Sequence, residues 1–273
     1  MPRLEEELAR PGPGAQAGGQ GARSGASGGH DLAQLALTGL VLLAATLGGA
    51  LMLAVAENGN ASYQTLTLYV TVPASALIFL AAAAARMVGL RSFARAIALG
   101  LLFGAISTAG LEVVRNIAFY EFNSMPGQLP ELMGVLVTNR IMLGPTIGSD
   151  IVGWALHVWN GAAFGVTFAL LVGGFPRSSR YRSNWYGTGL GVAFGVLVGT
   201  GFLASPVSRA TGAGIFGSVI GAKYDITVYL AHMVFGGILG TLVHRFLTDD
   251  APVWELALRL LRVLSRRRRL AGA

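Results

Sequence analysis

Residues 150–173 read DIVGWALHVWNGAAFGVTFALLVG, an apolar stretch that contains one aspartate and one histidine. A hydrocarbon core about 30 Å thick needs roughly 20 apolar residues in helical form, so this stretch is long enough to cross a membrane. Ionisable groups are costly inside a bilayer. Asp150 and His157 are therefore the first candidates for a functional site.

The same spacing occurs a second time, in the last apolar stretch of the chain. The two copies are Asp150-x6-His157-x3-Gly161-x3-Gly165 and Asp225-x6-His232-x3-Gly236-x3-Gly240. A polar pair that recurs at one spacing in two apolar segments indicates function. Asp150, His157, Asp225 and His232 are predicted to bind a ligand or to line a polar pathway.

The composition of the whole chain is that of a polytopic membrane protein. Hydrophobic residues make up 53% of the 273 residues, charged residues make up 12%, and the mean hydropathy is +0.60. The absence of cysteine excludes disulfides and thiolate metal sites. The net charge is +7, but the basic residues lie at the ends of apolar segments, which indicates membrane topology rather than a nucleic-acid partner.

Six apolar segments are long enough to span a bilayer, which predicts an all-α fold of six transmembrane helices. They lie at about 35–56, 66–87, 94–119, 150–173, 186–205 and 225–247. The predicted organisation is a disordered cytoplasmic tail over 1–33, a transmembrane domain over 34–248 and a basic cytoplasmic helix over 249–273.

The basic residues concentrate in alternate connections, which places both termini in the cytoplasm. The long connections at 120–149 and 206–224 then face outward. Within the first of them, the apolar segment 132–143 predicts an interfacial or re-entrant helix that covers the site.

The flanking sequences extend the repeat, so helices three and four form one unit and helices five and six a second, parallel unit. Seven residues advance a helix by about 10 Å, so each Asp and His share a face at different depths. If helices four and six are neighbours, the aspartates form an outer layer and the histidines a second one. Capping of the helix N-terminus is the simpler role for Asp150 and Asp225.

Helix three carries further polar residues at helical spacing. Glu112 and Asn116 share one face, and Arg115 is placed to form an ion pair with Glu112. The alternative is that Arg115 compensates Asp150 or Asp225 and that Glu112 joins the site.

The C-terminal stretch has apolar residues at a helical period and arginines elsewhere, which predicts an amphipathic helix on anionic lipid head groups. The arginines expected at the membrane surface are Arg259, Arg262, Arg266, Arg267, Arg268 and Arg269.

These features leave several functional classes open. Permeation or transport of a proton, metal ion or small polar solute is slightly favoured. The first alternative is a bis-histidine subunit in which His157 and His232 hold haem b or a metal ion. An enzyme acting on a lipid or isoprenoid substrate is less favoured than either, and a structural or assembly subunit without its own chemistry is the remaining alternative.

The pattern Gly153-Trp154-x2-His157-x3-Gly161-x2-Phe164-Gly165 resembles one found in bacterial membrane proteins. This resemblance favours a multi-pass protein of the bacterial plasma membrane, surrounded by the lipid bilayer. Glycines four residues apart suit helix packing within a chain or between chains, so a homo-oligomer or a larger membrane complex is compatible with the sequence.

Overall fold

The computed structural model describes residues 13–173, 184–247 and 252–271. The described residues form helices and connections, with no strand among them. In chain order the helices are α1 (Pro13–Gly48), α2 (Leu51–Glu57), α3 (Tyr63–Leu66), α4 (Val72–Met87), α5 (Arg91–Tyr120), α6 (Leu129–Val137), α7 (Ile147–Val172), α8 (Asn184–Ala204), α9 (Pro206–Ala210), α10 (Ala222–Phe246) and α11 (Val253–Ala271).

Six segments of the described chain are long and apolar enough to cross a membrane, which makes this a six-span integral membrane protein. They are Asp31–Gly48, Tyr63–Met87, Arg91–Tyr120, Ile147–Val172, Trp185–Ala204 and Ala222–Phe246. Large apolar side chains lie on the outside of these segments, for example Leu80 and Leu197, which are 65% and 68% exposed. Such a surface suits contact with lipid rather than water. The predicted number of spans is confirmed.

The first apolar segment does not form a single helix over 35–56, as the sequence predicted. α1 ends at Gly48, the chain turns at Gly49 and Ala50, and α2 begins at Leu51. Trp159 of α7 donates a hydrogen bond from Nε1 to the Gly48 carbonyl at 2.8 Å. That bond satisfies a carbonyl group freed by the helix end, which stabilises the break. At its other end α1 begins at Pro13, within the segment predicted to be a disordered tail.

α5 is the central helix of the bundle, because it packs against both α7 and α10. α7 and α10 barely touch each other, so the condition on which the two predicted layers depended, that helices four and six are neighbours, is not met. The chain returns antiparallel from α5 to α7, and likewise from α8 to α10. Ser124 of the first connection forms a hydroxyl–hydroxyl bond of 2.7 Å with Thr227, near the start of α10, so both connections lie at one end of the bundle. We call this end, formed by residues 121–146 and 205–221, the loop end.

Glycines allow the helices of each antiparallel pair to approach backbone to backbone. A Cβ atom on Gly104 of α5 would lie 2.8 Å from the Ala162 Cα of α7. A Cβ atom on Gly191 of α8 would lie 2.8 Å from the Gly240 Cα of α10. Close approach of this kind is how small residues stabilise helix pairs in membranes, where no hydrophobic force acts between helices.

α6 is shorter than the predicted apolar helix at 132–143 and ends at Val137. It packs closely on α7, since a Cβ atom on Gly153 would lie 2.7 Å from the Gly134 nitrogen. Leu129 of α6, Leu53 of α2 and Val207 of α9 belong to one apolar cluster near the loop end.

The C-terminal helix α11 packs mainly against α1. Leu256 is buried and Leu261 is exposed, and an exposed ion pair joins Arg259 to Glu255 at 2.6 Å. Arg262 is exposed as well. The side chains of Arg266, Arg267, Arg268 and Arg269 lie outside the described residues, so their contact with anionic lipid stays a prediction.

Candidate functional site in the membrane-spanning bundle

Glu112 of α5 is the centre of a buried polar cluster. Its Oε1 atom accepts hydrogen bonds from Arg115 Nη1 at 2.7 Å and from His157 Nε2 of α7 at 2.8 Å. All three side chains are at least nine-tenths buried. The ion pair predicted between Glu112 and Arg115 is therefore present. Arg115 pairs with neither aspartate among its described contacts.

Asn116 connects this cluster to the loop end. Its Nδ2 atom donates to the Glu112 carbonyl at 2.8 Å, and its Oδ1 atom accepts from Gln128 Nε2 at 3.1 Å. Gln128 directly precedes α6. Asn116 therefore holds the connection onto α5 and does not touch the cavity described below.

His157 and His232 line the same cavity, although their helices barely touch. The cavity has a volume of about 360 Å³ and lies between α2 and α7 on one side and α8 and α10 on the other. Thr108, Asn160 and Ser205 supply further polar groups, and Leu111, Phe202 and Phe235 are among the apolar ones. The described lining residues include no Asp, Glu, Lys or Arg. The predicted pairing of the histidines in one site is thus consistent with the structure.

Apolar side chains border the cavity towards both ends of the bundle. Leu53, Leu129 and Val207 line it towards the loop end. On the opposite side Phe164 of α7 lines it, and Phe194 of α8 contacts Phe164 and Phe168, with ring centroids 6.3 and 5.2 Å apart. The polar groups of the lining therefore lie between two apolar regions.

Sequence reasoning missed the part of the lining that comes from the helix break. Ala50, Leu51, Leu53 and Ala54 all line the cavity. The adjacent glycines at 48 and 49 were the available signal, because a glycine pair in an apolar helix is a common position for an interruption.

The aspartates lie apart from this cavity. Asp150 and Asp225 are half-buried near the starts of α7 and α10, and the Oδ1 atom of each has no hydrogen-bonding partner among the described residues. Neither aspartate caps its helix by a hydrogen bond, so that expectation was wrong, although each lies in the first turn, where a negative charge complements the helix dipole. The cap of α7 is Thr146, whose hydroxyl accepts from the Ser149 backbone while the Ser149 side chain accepts from the Thr146 N–H. α10 begins after Gly221, with no side-chain cap.

The first antiparallel pair crosses at a regular series of positions. Gly165 of α7 lies against Gly104, and Gly161 lies against Thr108, one turn further towards the loop end. One more turn brings His157 to Glu112.

The second pair crosses in the same register. Gly240 of α10 lies against Gly191, and Gly236 lies against Gly195. One more turn brings His232 to Gly199, where an added Cβ would lie 3.4 Å from His232 Cγ. Gly199 therefore occupies the position that corresponds to Glu112.

His232 consequently has a different hydrogen-bonding partner from His157. With no carboxylate opposite it, its Nδ1 atom donates to the Val228 carbonyl of its own helix at 2.8 Å. The Phe202 ring lies beside it, at a centroid distance of 5.9 Å.

The described residues fit a bis-histidine haem poorly. His232 would suit an axial ligand, because its Nδ1 is held by a carbonyl and its Nε2 is unbonded. His157 Nε2, however, is bonded to Glu112. Two cations in this half of the bundle that could balance haem propionates have other contacts: Arg115 pairs with Glu112, and Lys223 donates to the Asn123 carbonyl. The described residues also contain no group of three or more potential ligands that could hold a metal ion.

Comparison of the chain with protein-family models, with curated proteins and with solved structures gives no match. The class of protein therefore follows from the fold, which is a six-span integral membrane bundle.

Proposed function

We propose that this protein binds a small amphipathic molecule that reaches the cavity from the bilayer. The observation that carries the proposal is the cavity itself. Its volume of about 360 Å³ falls in the range of roughly 300–1,000 Å³ typical of ligand pockets, and such pockets are mostly apolar with a few polar groups that orient the ligand. The apolar part suits a hydrocarbon chain, and His157, Asn160 and His232 suit a polar head.

The exposure of two lining residues supports access from lipid. Leu51 of α2 and Gly201 of α8 both line the cavity and are both exposed. Both residues lie on the outer surface of the apolar bundle, and their helices, α2 and α8, make few contacts with each other. A molecule dissolved in the bilayer can pass between them without crossing water.

Permeation of a proton, a metal ion or a small polar solute was the function favoured by the sequence pattern. The uncharged lining and the aromatic contacts of Phe164, Phe168 and Phe194 beside it favour a binding site that ends inside the membrane. A continuous polar pathway would need ionisable or hydrated groups beyond those rings. Binding of an amphipathic molecule is therefore the better supported function.

We also propose that the two antiparallel helix pairs arose by duplication. The common glycine register supports this, since Gly104 and Gly191 make corresponding contacts and His157 and His232 occupy corresponding positions. The replacement of the acid by Gly199 means that the copies have diverged. The same proposal includes an outward orientation of the loop end and a location in the bacterial plasma membrane.

Lipid extraction tests the proposed function. Wild-type protein, Gly201→Leu and Gly189→Leu are purified in mild detergent, and the bound molecules are identified by mass spectrometry. An added Cβ meets nothing within 4 Å at either glycine of α8, but only Gly201 lines the cavity. We expect one amphipathic species to be enriched in wild type and Gly189→Leu and depleted in Gly201→Leu. Identical extracts from all three would contradict the proposal and favour a structural role.

A further inference from the structure

The hydrogen bonds of the two histidines determine which ring nitrogens remain for a ligand. Glu112 is held as a carboxylate by Arg115, at 2.7 Å, so His157 Nε2 must carry the hydrogen that bonds to it. Its Nδ1 atom is buried and has no partner among the described residues. A proton on Nδ1 would be an unsatisfied buried donor, which is costly. His157 is therefore neutral, and its Nδ1 lone pair is too deeply buried to reach a molecule in the cavity.

His232 is neutral as well, but its lone pair is on the other ring nitrogen. Its Nδ1 atom lies 2.8 Å from the Val228 carbonyl, which can only accept, so Nδ1 carries the hydrogen. Nε2 is then the nitrogen with the lone pair. His232 lines the cavity, and no described residue bonds to Nε2.

We infer that the bound molecule is a neutral amphiphile whose head group donates hydrogen bonds through hydroxyl groups. This inference rests on the proposed function. His232 Nε2 presents an imidazole lone pair in this lining, and no described cation lies beside it. An anionic head group such as a phosphate would meet an acceptor and no balancing charge, whereas a hydroxyl group supplies the donor that Nε2 lacks.

Asn160 also lies in the lining and adds an amide that can accept from or donate to the same head group. Its counterpart in the other helix pair, Phe235, is apolar. The head group is therefore expected between Asn160 of α7 and His232 of α10.

Paired photoreactive probes test the inference in vesicles that contain the full-length protein. One probe is a monoacylglycerol with a diazirine in its acyl chain, and the other is its dimethyl ether, which keeps the chain and removes both donors. We expect the hydroxyl probe to label cavity residues roughly five-fold more than the ether, as one net hydrogen bond allows. His232→Phe should reduce that ratio, since phenylalanine has a similar volume and no lone pair.

The outcomes separate this inference from the proposed function. Equal labelling of cavity residues by both probes would overturn the inference and leave the proposed function in place. Absence of labelling by either probe would overturn the inference as well, and the lipid extracts would then decide the proposed function by themselves. Stoichiometric Zn²⁺ in the purified protein, lost in His232→Phe, would assign the lone pair to a metal and overturn the inference too.

Discussion

His157 Nε2 lies 2.8 Å from Glu112 Oε1, so the two central polar residues of this bundle join α7 to α5 inside the membrane-spanning region. The same carboxylate oxygen accepts from Arg115. A buried charge pair contributes little net stability compared with apolar residues of similar volume, but removal of one partner leaves an uncompensated buried charge. The cluster is therefore sensitive to single substitutions.

Glu112→Leu is expected to lower the free energy of unfolding by about 3–5 kcal/mol, because Arg115 is then left buried and unpaired. The double variant Glu112→Leu, Arg115→Met removes both charges and should recover most of that loss. The measurement is thermal unfolding in detergent, followed by tryptophan fluorescence. Equal melting temperatures for the single and double variants would show that the unpaired guanidinium is not the cause.

Gly191→Ala is expected to destabilise the protein by about 1–3 kcal/mol, as overpacking does. An added Cβ would lie 2.8 Å from the Gly240 Cα, so α8 and α10 must separate. Gly189→Ala is the control in the same helix, since nothing lies within 4 Å of its Cβ position. Replacement of a helical glycine by alanine in open space should be neutral or stabilising by up to about 1 kcal/mol. Similar losses in both variants would contradict the close-contact explanation.

Thr146→Ala is expected to lower stability by about 1 kcal/mol, because Thr146 caps α7. Asp150→Asn should change stability by less than about 0.5 kcal/mol, since its carboxylate makes no capping bond and contributes only a small dipole interaction. Chemical or thermal unfolding measures the stability of both variants, so the two losses can be compared directly. A larger loss of stability in Asp150→Asn than in Thr146→Ala would indicate that Asp150, and not Thr146, caps α7.

The predicted orientation can be tested by cysteine labelling, because the chain has no native cysteine. Glu121 lies at the loop end and Arg91 at the opposite end of α5, and both are exposed. We expect a membrane-impermeant maleimide to label Glu121→Cys in intact cells, and Arg91→Cys only after permeabilisation. The reverse pattern would place the loop end in the cytoplasm.

The sequence by itself was sufficient for the class of protein and for the residues worth examining. Six apolar segments of bilayer length predict six spans, because a chain in lipid must satisfy its backbone hydrogen bonds within each helix. The repeated Asp–His spacing likewise identified His157 and His232, since ionisable residues in such segments are costly and rarely incidental.

The tertiary structure alone decided which of those residues act together. Both histidines line one cavity while both aspartates lie outside it, and α5 packs against both α7 and α10, which barely touch each other. Periodicity along one helix predicts the face on which a residue lies, but not which neighbouring helix packs against that face. That neighbour depends on how closely glycines let the backbones approach, and on whether Glu112 or Gly199 lies opposite each histidine.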